Sequence, residues 1–176
     1  MIYRTMLTLF LVAGLALATP ATADTLKIEV HAISADGVGE SIGVVTAVDT
    51  NKGLLLTPDL KGLPPGEHGF HVHQKPSCDS AEKEGKMAAG LAAGGHYDPG
   101  NTGSHKGPKH DGHLGDLPIL IVDEDGDATE PVLAPRLTVA LIKGRSLMVH
   151  AQGDNFSDTP KPLGGGGARI ACGVID

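Results

Sequence analysis

The segment TLKIEVHAI, residues 25–33, alternates strictly: Leu26, Ile28 and Val30 share one face, Lys27, Glu29 and His31 the other. Side chains of a strand point alternately to its two faces, whereas an amphipathic helix repeats its apolar residues about every 3.6 positions, so this segment is a half-buried strand. The same signal returns along the chain. SIGVVTAVDT, the turn NKG and LLLTPDL read as a hairpin that ends at the breaker KGLPPGEHG, and GFHVH, LPILIVDEDG, PRLTVALI, SLMVHAQ and ARIACGVI read as further strands. With 25 glycines, 12 prolines and only 3% aromatic residues, turns are plentiful and the core must be built from Val, Leu and Ile. The expected fold is all-β, an antiparallel Greek-key sandwich or flattened barrel of about eight short strands carrying two long functional loops.

Those loops are residues 74–116 and 151–168, where strand patterning stops. Loops of this length inside a domain are commonly functional. The first holds His96, His105, His110 and His113, four of the nine histidines, and the second ends in GGGG, too short to separate domains. One β domain is therefore expected over residues 24–176.

Residues 1–23 read differently. Arg4, an apolar run over residues 6–17 and the small residues Ala21, Thr22 and Ala23 have the layout of a secretory signal peptide with cleavage after Ala23, and the run is short for a bilayer span. Loss of Arg4 with this leader, which has no acidic residue, takes the formal charge from −7 to −8. Such acidity argues against a nucleic-acid partner, and an anionic substrate would need a local basic feature to draw it in. Cys78 and Cys172 are the two cysteines. In an oxidising compartment an isolated pair favours one disulfide, and neither lies in a CxxC pair that would favour thiolate metal ligation.

In GFHVH, His71 and His73 lie on one face with Cα atoms roughly 6.6 Å apart, while Phe70 and Val72 point to the core. His150 in SLMVH has the same setting, opposite in parity to Leu147 and Val149. Three imidazoles meet over one sheet patch if these strands are neighbours. In the first loop, His96, His105 and His113 are followed by Asp116, and three imidazoles with a carboxylate suit tetrahedral zinc. Any one histidine on a polar loop is more simply solvated; six in two groups with an adjacent carboxylate are not. His31 is expected on a solvent face, His68 as a hydrogen-bonded structural residue, and His110 as solvated, with competition for zinc as its alternative.

Taken in order, GFHVH, GGHYDP, NTGSHKGP, GHLGDLP, LMVHAQGDN and GGGGARIACGVI closely resemble the copper,zinc superoxide dismutases, in particular their exported bacterial branch. The resemblance covers nearly all of the expected mature chain. It implies one copper held by His71, His73, His96 and His150, and one zinc held by His96, His105, His113 and Asp116, with His96 bridging. It further implies that Asp154 orients a ligand of each metal, that Arg169 stands beside the copper, and that Cys78 pairs with Cys172. CDSAEKEGKMAAGLAAGGH and DNFSDTPKPLGGGG look like the bacterial branch, in which subunit contact differs from the eukaryotic form, so a homodimer is not simply inherited.

The implied activity is dismutation of superoxide in the periplasm, without stable membrane association after leader removal. Superoxide is alternately oxidised to dioxygen and reduced to hydrogen peroxide, with His96 supplying one proton to the second half-reaction. Arg169 would bind the anion against the net negative charge; lysines on the loops, such as Lys83, Lys86 or Lys161, would either extend the attractive field or be merely solvated. A metal store with the same ligands would need neither Arg169 nor a bridging His96. A zinc hydrolase would need a general-base carboxylate that is not evident beside His71 and His73. A purely structural sandwich leaves the histidines unexplained.

Overall fold

β1 (Thr25–Ser34) alternates as the sequence requires, with Ile28 and Val30 buried and Lys27 and Glu29 exposed. The computed structural model describes residues 25–176, so the expected leader and its cleavage after Ala23 lie outside the described residues. The elements that follow are β2 (Gly37–Thr50), β3 (Gly53–Leu60), β4 (Gly66–His68), β5 (Phe70–His73), β6 (Ala81–Lys83), β7 (Lys86–Ala88), β8 (Leu120–Val122), β9 (Val132–Ala134), a helical turn α1 (Val139–Ile142), β10 (Arg145–His150) and β11 (Arg169–Ile175).

Seven strands form one curled antiparallel sheet in the order β5, β10, β11, β1, β2, β3, β9; β4 pairs with β8, and β6 with β7. The β2–β3 hairpin closes at Thr50 and Gly53 as the NKG turn predicts. β5 and β10 are neighbours although residues 74–144 separate them in the chain, and the second long loop joins β10 to β11. Within the curl, Ile28, Val30, Val45, Leu56, Phe70, Val72, Leu147 and Val149 pack into one apolar cluster.

PRLTVALI is not a strand. Leu137 and Val139 keep strand parity, but the chain turns at Thr138, whose side chain accepts a hydrogen bond from Leu141 N, and winds into α1. Asp49 Oδ1 accepts from Val139 N at 2.8 Å, and Val139 and Ile142, three residues apart, bury the same side of the turn. The strand of this region is β9, just upstream, paired with β3.

The opposite sheet face carries the histidines. On β5, Phe70 and Val72 enter the core while His71 and His73 point away, and on β10 Leu147 and Val149 oppose Ser146, Met148 and His150. Met148 pairs with His71 and Ser146 with His73, so β5 and β10 are neighbours. Every residue of β5 is buried, because the first loop lies along its free edge: Val72 N donates to Gly115 O at 2.9 Å and Tyr97 N to Val72 O at 2.8 Å. These bonds set His96 opposite His73 and Asp116 opposite His71. Gly115 is required here, since a Cβ would stand 2.2 Å from Val72 O.

The same face holds a small second cluster of Ile33, Cys78, Ala93, Met148 and Cys172. Cys78 and Cys172 form a disulfide with Cα atoms 5.6 Å apart. No described helix is long and apolar enough to cross a membrane.

Candidate metal centre

Six of the nine histidines lie in two adjoining buried groups, and His71, His73 and His150 are on the face that strand parity requires. The ligand atoms of His71, His73, His96 and His150 lie within 4.8 Å of one another, and so do those of His71, His96, His105 and Asp116. His113 meets the second group at Asp116, with its Nδ1 3.5 Å from Oδ1. His71 and His96 belong to both groups, and of the two it is His96 that turns a ring nitrogen to the carboxylate, its Nδ1 lying 3.0 Å from Asp116 Oδ1.

Hydrogen bonds define which ring nitrogens are free. His73 Nδ1 donates to Gly94 O at 3.0 Å and His150 Nδ1 to Gly167 O at 3.3 Å, so each Nε2 keeps its lone pair. Those two Nε2 atoms face each other 3.4 Å apart. His71 donates through Nε2 to Asp154 Oδ2 at 2.8 Å, and its buried Nδ1 has no partner. Asp154 also accepts from His105 Nε2, at 2.8 Å through Oδ1, so one carboxylate orients a ring in each group. Buried lone pairs turned toward one another are unfavourable unless a cation lies between them. The donor chemistry therefore fits metal ions: nitrogens alone in the first group suit copper, and imidazoles with a carboxylate in the second suit zinc.

The electrostatics agree. Burial, and next the neighbouring His96, hold His71 and His73 well below the ordinary imidazole range, and the same two causes bring His150 down to about 4. These rings are neutral at pH 7 and ready to coordinate. Burial also acts to lower His105, but the carboxylates of Asp116 and Asp154 outweigh it and raise the ring to about 9. Burial disfavours the charge of Asp116 and Asp154, yet hydrogen bonds led by His105 hold both well below the usual carboxylate range. An ion that takes Nδ1 of His105 must displace a proton.

Arg169 is brought here by a β-bulge. Val149 pairs with Ala171 but His150 pairs with Arg169, so the register slips by one residue and places the arginine across from a histidine of the first group. Its Nη1 donates to Gly90 O and its Nη2 to Gly94 O, at 2.6 Å. A guanidinium has five N–H groups, so donors remain for an anion. Arg169 lines a cleft of about 470 Å³ with His96, His150, Gln152 and Lys161. Lys83 and Lys86 lie elsewhere, paired at the tip of the β6–β7 hairpin.

The other histidines are mostly as expected. His68 is buried with ring nitrogens 2.7 Å from His150 O and Pro64 O, and His110 is exposed. His31 differs: it is half-buried beside a bulge, with Nδ1 3.2 Å from Gly39 O. The carbonyls of Gly90, Gly94 and Gly167 were not singled out from sequence, and neither was Arg136. A main-chain acceptor leaves no residue-type signal, and a surface-spaced arginine has no motif.

A curled antiparallel sheet bearing adjoining nitrogen-only and nitrogen–carboxylate groups defines a β protein built to hold two neighbouring metal ions. The family model for copper/zinc superoxide dismutase matches residues 41–175, and the chain belongs to that family. Superoxide dismutase [Cu-Zn] of Escherichia coli K12 is 58% identical over 165 residues, covering 93% of this chain and 95% of that one. The Brucella abortus protein of the same name is 51% identical over 173 residues, covering 97% and 100%. Among solved structures, the Brucella abortus enzyme superposes with a TM-score of 0.85 at 52% identity, covering 87% of this chain and all of that one. The monomeric Salmonella enterica enzyme gives 0.79 at 57%, with the same coverage. The protein is accordingly an enzyme with copper and zinc as cofactors, and it converts superoxide to dioxygen and hydrogen peroxide.

Proposed function

We propose that His71, His73, His96 and His150 hold the copper, and that His96, His105, His113 and Asp116 hold the zinc. The observation that carries this reading is the orientation of His96, with Nδ1 turned to Asp116 and Nε2 left for the first group, whereas His71, the other ring within reach of both groups, is tied through Nε2 to Asp154. Bound copper supplies the one-electron couple that links the two half-reactions. Around it the chain's own residues do the rest. Arg169 receives superoxide in the cleft through its spare N–H groups and offsets the charge that grows on reduction. His96 Nε2 holds a proton and gives it to the reduced product, and water supplies the second. Lys161, on the wall of the same cleft, adds to the local positive field.

Asp154 locks the tautomers of His71 and His105, and Gly164 is what lets it lie there. A Cβ on Gly164, which has φ +73°, would stand 1.9 Å from Asp154 Oδ1 and 2.8 Å from His105 Nε2. Gly164→Ala is expected to weaken both metal affinities by about 10- to 100-fold. Titration of the metal-free variant with each ion measures this; affinities equal to wild type would remove Asp154 from the account.

The leader composition and the Cys78–Cys172 disulfide support export to the periplasm. All the proposed ligands come from one chain, so the function is assigned to the single subunit. The deciding experiment pairs metal analysis with a superoxide assay. Copper removal is expected to abolish dismutation, and copper, but not further zinc, to restore it. Activity that survives verified copper removal would overturn the reading.

A further inference from the structure

The rings around Asp116 are not held alike. His96 is tied through Nδ1 to Asp116 and His105 through Nε2 to Asp154, at 3.0 and 2.8 Å. The Nδ1 of His113 has no hydrogen-bond partner, and it lies 3.5 Å from Asp116 Oδ1, farther than the other two. What aims the His113 ring is therefore its backbone, in the turn at residues 110–113.

That turn is gripped from two sides. On one side His113 N donates to Ser104 O at 2.9 Å, and Gly112 lies so close that a Cβ would come within 2.6 Å of Ser104 O and 2.8 Å of Lys106 N. On the other side stands Arg136. Its Nη1 donates to His110 O and, at 3.3 Å, to His113 O, while its Nη2 donates to Gly112 O at 3.1 Å. All three hydrogen bonds of the guanidinium thus go to carbonyls of one tight turn, a geometry that a planar fork satisfies and an ammonium does not.

Arg136 is itself well anchored. It sits in the connection between β9 and α1, where Asp49 caps Val139 N at 2.8 Å and Gly53 packs so closely that a Cβ would be 2.5 Å from Ala134 O. The β2–β3 hairpin, a rigid part of the main sheet, backs the arginine. We infer that Arg136 is a positioning residue for zinc: it acts through the backbone of residues 110–113 to hold the otherwise untethered His113 ring at Asp116. This rests on the zinc assignment proposed above.

The test is zinc titration of the full-length mature chain, metal-free, as wild type, Arg136→Gln and Arg136→Lys, with cobalt(II) as a spectroscopic stand-in. Arg136→Gln is expected to lower zinc affinity by about 10-fold or more, the scale seen when residues that orient a ligand are lost. Its cobalt absorption band should shift as His113 loosens, while copper affinity and the unfolding midpoint of the metal-free chain stay near wild type; Arg136→Lys should fall between. In a His113→Gln background the further loss of Arg136 should leave zinc affinity unchanged. Wild-type zinc affinity and a superimposable cobalt spectrum in Arg136→Gln would overturn the inference. So would an equal penalty in the His113→Gln background, which would make the arginine a general loop brace. A wild-type chain that takes up no zinc would instead overturn the assignment beneath it, so the two failures are distinguishable.

Discussion

Arg169→Ala is expected to lower kcat/KM for superoxide by about 10- to 100-fold while copper stays bound, because a charge-assisted hydrogen bond to a buried anion contributes about 1.5–3 kcal/mol. The arginine lines the cleft beside His96 and His150 and is not in either group of candidate ligands, so metal content should survive its loss. Its charge also opposes the formal net −7 of the chain. Raising ionic strength should therefore slow the variant less than the wild type. Arg169→Lys should recover only part of the rate, since an ammonium cannot reach the Gly90 and Gly94 carbonyls together. Steady-state kinetics across a salt series decides; a variant as fast as wild type would remove Arg169 from substrate binding.

Reduction of the Cys78–Cys172 disulfide is expected to have the largest effect on stability. The crosslink spans 94 positions, for which chain entropy in the unfolded state alone gives about 4–5 kcal/mol. It also fastens the same loop that Arg169 holds. Cys78 and Cys172 are buried with Met148 and Ala93, and Gly90 and Gly94, whose carbonyls Arg169 binds, lie between Cys78 and His96. With the crosslink gone, that loop is retained by hydrogen bonds and a small apolar cluster alone. The reduced protein should unfold well below the oxidised one and should lose metal faster to a chelator. Equal midpoints and equal metal content after verified reduction would defeat this expectation.

Much of the centre was legible because strand parity is a local property. Phe70 and Val72 against His71 and His73, and Leu147 and Val149 against His150, each announce one face from side-chain type alone. PRLTVALI shows where the same reasoning fails. Its alternation is real over Leu137 and Val139, but the helical turn depends on Thr138 and on a cap from Asp49, ninety residues away in the chain. His31 is half-buried for a similar reason, since a bulge in the β1–β2 register turns it from the solvent face.

Side-chain order along the chain thus determined the all-β class, the core face of each main strand, the family resemblance and the set of candidate metal ligands. Only the folded sheet decided that β5 lies beside β10, that a bulge sets Arg169 across from His150, that Asp154 reaches rings in both groups, and that Arg136 grips the turn before His113. The division follows from range. Parity and motif spacing act between residues a few positions apart, whereas strand order, register and the main-chain carbonyls that fix each tautomer exist only once distant segments have packed together.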